Sequence, residues 1–139
     1  MRRSVLRVLA AMCFAGPAVA QDAWPDLIGK WVGKSRAIIT SPAGHYGSAG
    51  GGNEPRFASA DLVIEFTKQD QGRYIGTIVS AGHKEEKLMV LSEDRKTLRS
   101  VDNDGNSVGH IIDSNSFELC YAQMAPTVAS CALFKREKP

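Results

Sequence analysis

Short segments in which apolar and polar residues alternate follow one another along most of this chain. In the first of them, Leu27 and Trp31 fall on one face of an extended segment, and Lys30 and Lys34 fall on the other. The glycines on either side of Trp31 allow a bent strand, with room for a large indole to lie across a core. We expect this strand to cover residues 27–40 and the later strands to close around its tryptophan.

Seven further segments have the character of short strands, some of them with the same period of two, and turn residues separate them. Asp102-Asn103-Asp104-Gly105-Asn106 is a strong hairpin signal among these turns. No ten-residue stretch after residue 20 shows a helical stripe. We therefore predict an all-β fold, an eight-stranded antiparallel up-and-down β-barrel, because closure leaves no exposed strand edge. The seven later strands are predicted at 62–67, 73–81, 87–92, 97–101, 108–112, 116–123 and 128–136.

Residues 41–59 depart from this alternation. The segment is dense in Gly, Pro and Ser and has no periodicity, so we predict a long Gly-rich loop at 41–59. Loops of this length inside a compact domain are usually lids, binding loops or disordered segments.

The first 20 residues have the layout of a secretory signal peptide. Arg2 and Arg3 precede an apolar run at 8–15, and Ala18-Val19-Ala20 forms a small-residue cleavage site. The apolar run is too short to span a bilayer, and no other stretch of the chain approaches spanning length. We expect cleavage after Ala20, a periplasmic or secreted protein, and no membrane span.

Removal of this segment changes the charge balance. Of 139 residues with a net charge of +2, 119 remain, and their 14 Lys and Arg face 15 Asp and Glu. A nearly neutral chain argues against nucleic acid or an anionic membrane as the main partner. The size of 21–139 suits a single β-barrel domain.

The last two predicted strands carry both remaining cysteines. If their hairpin is centred between Ala125 and Pro126, Cys120 lies directly across from Cys131. The short spacing of a non-hydrogen-bonded antiparallel pair fits a disulfide, and an even number of cysteines is typical of exported proteins. We predict a Cys120–Cys131 disulfide.

Leu27 followed by Gly29-Lys30-Trp31, together with the strand count, resembles the calycin group: lipocalins, fatty-acid-binding proteins, avidins and small bacterial metalloprotease inhibitors. In lipocalins the matching Trp closes one end of the barrel and a basic residue of the last strand packs over it. The resemblance therefore implies this part for Lys135 or Arg136. It also implies that the 41–59 loop is a lid.

Candidate ligand-binding residues lie on the predicted inner faces and in the Gly-rich loop. The functional interpretation is an apolar pocket with polar groups at its mouth. The alternative is a filled core, because an eight-stranded barrel is barely wide enough for a small ligand; the sequence leaves both open. The candidates are Trp31, His45, Tyr46, Phe66, Tyr74, Ile78, His110 and Tyr121.

No motif for catalysis or metal binding stands out. None of His45, His83 and His110 has a partner at metal-ligand spacing. Glu85 and Glu86 point to opposite sides of a strand, so they make a poor acid and base pair. We therefore expect no enzyme, no metal and no cofactor.

The expected function is that of an exported binding protein, which holds a small apolar or amphipathic molecule inside the barrel. The alternative is a module that binds an extracellular protein, such as a hydrolase inhibitor, through the arm at 22–26 or the Gly-rich loop. The sequence does not indicate the oligomeric state.

Overall fold

The computed structural model describes residues 23–41, 44–47 and 54–138. The predicted signal peptide and part of the predicted loop lie outside the described residues. One single-turn 3-10 helix, Gly44–Tyr46, is called the roof turn below. The eight strands are β1 Gly29–Ile39, β2 Arg56–Asp70, β3 Arg73–Ser80, β4 His83–Leu91, β5 Thr97–Val101, β6 Asn106–Asp113, β7 Ser116–Met124 and β8 Thr127–Arg136.

The eight strands form a closed antiparallel up-and-down barrel, as predicted. Each strand pairs with the next along the chain, and β8 returns to pair with β1. Trp31 accordingly lies between Ile64 of β2 and Arg136 of β8. Within the described residues, no helix has the length and apolar character needed to cross a membrane.

The strands β2 and β4 begin well before the residues at which the alternation of apolar residues places their starts. β2 starts at Arg56, so the last four residues of the predicted 41–59 loop are paired with the end of β1. The large apolar side chain there faces outward, since Phe57 is 89 % exposed, and the inner face carries the small Ala58 and Ala60. β4 starts at His83, and its first inward-facing residues are polar, namely His83, Glu85 and Lys87. In neither place does the inner face carry a large apolar side chain, and hydrophobicity alone misses the strand.

Trp31 fills one end of the barrel, which is called the closed end below. Its indole is fully buried. The Arg136 guanidinium lies 4.2 Å from the indole ring and donates hydrogen bonds to the carbonyls of Asp26 (2.6 Å) and Ile28 (2.7 Å). Arg136, and not the exposed Lys135, therefore packs over the tryptophan.

The segment before β1 lies across the closed end. The Tyr74 hydroxyl donates a hydrogen bond to the Pro25 carbonyl at 2.7 Å. The Arg95 guanidinium stands 5.0 Å from the ring of Trp24. Residues 24–27 are thus packed against the barrel and do not protrude as a free arm.

The hairpin of β7 and β8 has the predicted register. Phe117 pairs with Phe134, and Cys120 pairs with Cys131. The two cysteines form a disulfide with their Cα atoms 4.0 Å apart. The turn and the cysteine positions had pointed to the same register, and that prediction is confirmed.

The interior of the barrel is divided along its axis. The half nearest the closed end is a filled core around Trp31, Phe66, Tyr74 and Phe117. A second and smaller apolar cluster lies toward the other end and consists of Ala37, Ile39 and Val128, with Tyr46 of the roof turn packed against it. The space between these two clusters contains the candidate site.

Candidate binding chamber at the mouth of the barrel

A chamber of about 40 Å³ lies beneath the roof turn, at the end of the barrel away from Trp31. A water molecule needs roughly 10–15 Å³ of such space, so the chamber accommodates a few waters in this conformation. Its floor is apolar and continuous with the core. The floor residues are Leu62, Ile78, Leu119, Ala132 and Phe134.

The wall of the chamber carries a buried ion pair between Lys87 and Asp102. The Lys87 ammonium lies 2.7 Å from Asp102 Oδ2 and 3.2 Å from Ser107 Oγ. The two charged side chains are only 2 % and 4 % exposed. Asp102 is held by the β5–β6 turn, where its Oδ1 accepts the Gly105 N–H at 3.0 Å. One carboxylate oxygen therefore stabilises the turn and the other faces the lysine.

This ion pair is unusual for a core whose only role is stability. Withdrawing two charges from water costs several kcal/mol per ion, which their attraction regains only in part. Apolar side chains of similar volume would fill the same space without that cost. Lys87 is therefore a candidate for recognising a ligand.

Tyr121 and Gln123 continue the polar wall on β7. The Tyr121 hydroxyl donates to Gln123 Oε1 at 3.1 Å, and Gln123 Nε2 donates to the Ala125 carbonyl at 3.2 Å. Burial, with a smaller contribution from the negative charge of Asp102, raises the pKa of Tyr121. The phenol is therefore a protonated hydrogen-bond donor at neutral pH, about 5.5 Å from the Lys87 ammonium when measured to the ring centre.

Two histidines and a carboxylate meet at the edge of the chamber. His45 of the roof turn contacts Ser80 Oγ through Nδ1 at 2.7 Å, and its Nε2 lies 3.7 Å from Glu85 Oε2. His83 Nε2 contacts the other oxygen of Glu85. Burial lowers the pKa of His45, although the charge of Glu85 acts in the opposite direction. The His45 imidazole is therefore neutral at pH 7.

The structure separates the predicted site residues into three groups. His45, Tyr46, Ile78 and Tyr121 line the chamber. Trp31, Phe66 and Tyr74 belong to the filled core.

His110 forms the third group, because it is exposed on the outer face of β6. His110 shares one face of β6 with Val108 and Ile112, and all three residues are exposed. The inner face of β6 carries Ser107, Gly109 and Ile111 instead. The prediction that His110 points into the barrel is wrong.

The charged residues of the chamber were missed by the sequence interpretation. Glu85 was considered only together with Glu86, whereas it shares the inner face of β4 with His83 and Lys87. The period-two pattern that ends in Met89 and Leu91 reaches these residues when it is followed backwards along the strand. Asp102 was attributed to a turn, which is correct for only one of its two carboxylate oxygens.

The pocket and the filled core were opposing interpretations of the interior, and the barrel contains both. The half around Trp31 is packed, and the half under the roof turn holds the chamber.

The chain matches no protein-family model, no curated protein and no solved structure.

Proposed function

We propose that this protein is an exported barrel of calycin type that binds a small amphipathic molecule at its mouth. The observation that supports this proposal most directly is the buried Lys87 ammonium, which faces a chamber with an apolar floor. A polar or anionic group of the ligand bonds to Lys87 and Tyr121, and its apolar part lies on Leu119 and Phe134. A few fixed polar groups above an apolar surface are typical of small-molecule sites.

The chamber is too small for most ligands unless the barrel changes its conformation. Ligand pockets usually enclose about 300–1,000 Å³, whereas the chamber measures about 40 Å³. A ligand of more than a few atoms therefore enters only when the roof turn moves outward. Tyr46 then leaves the apolar cluster of Ile39 and Val128, and the apolar part of the ligand takes its place on these side chains.

Export and the calycin assignment rest on separate observations. The disulfide between Cys120 and Cys131 agrees with an oxidising compartment and with the signal-like residues 1–20. The packing of Arg136 over Trp31 agrees with the arrangement that the calycin resemblance implies.

Binding of the amphipathic anion 1-anilinonaphthalene-8-sulfonate tests this function, with a metal chelator present throughout. Ser130→Leu places a larger side chain in the chamber, because Ser130 is buried and lines it. Ala129→Leu is the matched control, since Ala129 is the exposed neighbour on the same strand. Lys87→Met removes the buried ammonium, and Lys84→Met removes an exposed one from the same strand.

We expect saturable binding of one probe molecule per chain. Ser130→Leu and Lys87→Met should each weaken it about tenfold or more, a loss near 1.4 kcal/mol. Ala129→Leu and Lys84→Met should leave it unchanged. Equal binding by Ser130→Leu and Ala129→Leu would place the probe on the outer surface and refute the proposal.

A second candidate function, binding of an extracellular protein, is favoured by the outer face of β3 to β6. Five aliphatic side chains there are between 41 and 49 % exposed and lie side by side on neighbouring strands, flanked by two arginines. Contiguous exposed apolar patches often mark interaction surfaces. The two cross-strand rows are Ile75, Leu88 and Val101, and Arg73, Val90, Arg99 and Val108.

The protein-binding candidate predicts a one-to-one complex with an extracellular protein that has an acidic and apolar surface. Val90→Glu should abolish the complex, since it places a charge at the centre of the patch. Val32→Glu changes an exposed valine on another strand, 38 % exposed, and should leave the complex intact. The same affinity in both variants would exclude this face.

A further inference from the structure

Three side chains with metal-binding atoms converge where the roof turn meets β4. One ligand atom from each of His45, His83 and Glu85 lies within 4.8 Å of the other two. His83 and Glu85 stand two residues apart and so point to the same face of β4. His45 reaches them from above, on the roof turn.

Gly44 allows this close approach. A Cβ atom at position 44 would stand 2.9 Å from His83 Nε2, which is closer than side chains tolerate. The rings of His45 and His83 consequently meet edge to face, with 4.6 Å between their centres.

The environment of His45 is that of a metal ligand. Its Nδ1 is 2.7 Å from Ser80 Oγ, so an N–H at Nδ1 can donate to the hydroxyl and leave a lone pair on Nε2. Ligating histidines usually fix their tautomer through such a bond from the other ring nitrogen. The Nε2 atom is buried and has no hydrogen-bond partner among the described residues.

Two electron-pair donors therefore face each other across the gap. His45 Nε2 and Glu85 Oε2 are 3.7 Å apart, which is too long for a hydrogen bond between them. The Glu85 side chain is 6 % exposed, so its charge is largely withdrawn from water. A cation held between the two groups and His83 would satisfy all three.

We propose that His45, His83 and Glu85 bind one zinc ion, with the fourth coordination position open to the chamber. Two imidazoles and one carboxylate form a known zinc set with a free fourth position, whereas calcium and magnesium prefer oxygen ligands alone. Bonds of roughly 2.0–2.1 Å separate tetrahedral donors by about 3.3 Å. The three ligand atoms now lie within 4.8 Å of one another, so the side chains would rotate to reach that spacing. The zinc proposal does not rest on the amphipathic ligand: zinc would hold His45 and the roof turn against β4, whereas that ligand enters when the roof turn moves outward.

Calorimetric titration of the chelator-treated full chain with zinc chloride tests this proposal. We expect one zinc ion per chain. His45→Gln, His83→Gln and Glu85→Gln should each weaken binding about 100-fold or more, beyond the loss of about 10–100-fold expected for the supporting Ser80→Ala. His110→Gln, which changes the exposed histidine of β6, is the control and should bind as the unmodified chain does.

Thermal unfolding in the chelator checks that each variant is folded. Glu85→Gln keeps the shape of the side chain and is therefore the reference for the effect of zinc on the melting temperature. When zinc is added to the chelator-treated proteins in the absence of free chelator, it should raise the melting temperature of the unmodified chain and of His110→Gln, but not that of Glu85→Gln. Absence of stoichiometric zinc binding, or an equal loss in His110→Gln and His83→Gln, would overturn the site. The fluorescent probe is measured with chelator, so failure of the zinc site leaves the amphipathic-ligand proposal standing, and the reverse holds as well.

Discussion

Removing the charge of Lys87 should destabilise the barrel far more than removing an exposed charge. The Lys87 ammonium lies 2.7 Å from Asp102, and both side chains are almost fully buried. Breaking such a pair leaves an uncompensated charge away from water, which costs about 3–5 kcal/mol. Lys87→Met and Asp102→Asn should each lower the unfolding free energy by about 3 kcal/mol.

The double variant separates the cost of a broken pair from the value of an intact one. Lys87→Met with Asp102→Asn removes both charges of the pair, and an asparagine oxygen can still accept the Gly105 N–H. Replacing both partners of a buried pair is often close to neutral, so the double variant should unfold within about 1 kcal/mol of the unmodified chain.

Equilibrium unfolding in urea, followed by tryptophan fluorescence, measures these values. The slopes of the transitions should agree among variants, since stability changes are compared only at a constant slope. Lys84→Met, on the outer face of β4, should change the free energy by less than about 0.5 kcal/mol. If each single variant changed the free energy of unfolding by nearly zero, or if the double variant lost the sum of both single losses, the buried pair would not be the source of the destabilisation. A stable double variant that no longer binds the probe would show that the pair serves the ligand.

Three further predictions concern the closed end, the disulfide and alkaline pH. Arg136→Ala should lower the free energy of unfolding in urea by about 2 kcal/mol, because it removes two charge-assisted hydrogen bonds and the cation–π contact with Trp31. Lys135→Ala, the control, should lower it by less than about 0.5 kcal/mol. Equal losses in the two variants would contradict the packing of Arg136 over Trp31. Cys120→Ala should cost about 2–3 kcal/mol, since the bridge joins residues 11 apart in sequence, and an identical melting temperature with and without reductant in the unmodified chain would contradict a stabilising bridge. Burial, assisted by the charge of Asp26, raises the pKa of Tyr74 to about 12, so the folded chain keeps a proton that the unfolded chain loses near pH 10. The free energy of unfolding should therefore fall as the pH rises from about 10 to about 12. Tyr74→Phe should make this fall less steep, and an equally steep fall in that variant would contradict the prediction.

The barrel could be predicted from the sequence because most of its inner faces are apolar. In β2 and β3 the buried positions carry residues such as Ile64, Phe66 and Ile78, and alternation identifies these strands directly. The β7–β8 register followed from two agreeing signals, the turn and the position of Cys120 opposite Cys131.

The candidate site could be predicted only in part because its inner faces are polar. Hydrophobic alternation assigns the apolar residues of β6 to the interior, which would place His110 inside, whereas the buried residue at the mouth is Ser107. The same rule does not identify Glu85 and Lys87 as buried, because their partners lie on the roof turn and in the β5–β6 turn. Such partners are distant in the sequence, and only the closed fold brings them together.

Native mass spectrometry of the chain purified from its natural source, in the presence of a chelator, tests whether the mouth of the barrel binds a small molecule. If the chamber binds the ligand, the unmodified chain and Ala129→Leu should retain a small molecule, and Ser130→Leu should have the mass of the bare chain. A bare mass for all three proteins, or the same bound molecule on Ser130→Leu, would contradict the claim that the mouth of the barrel is a binding site.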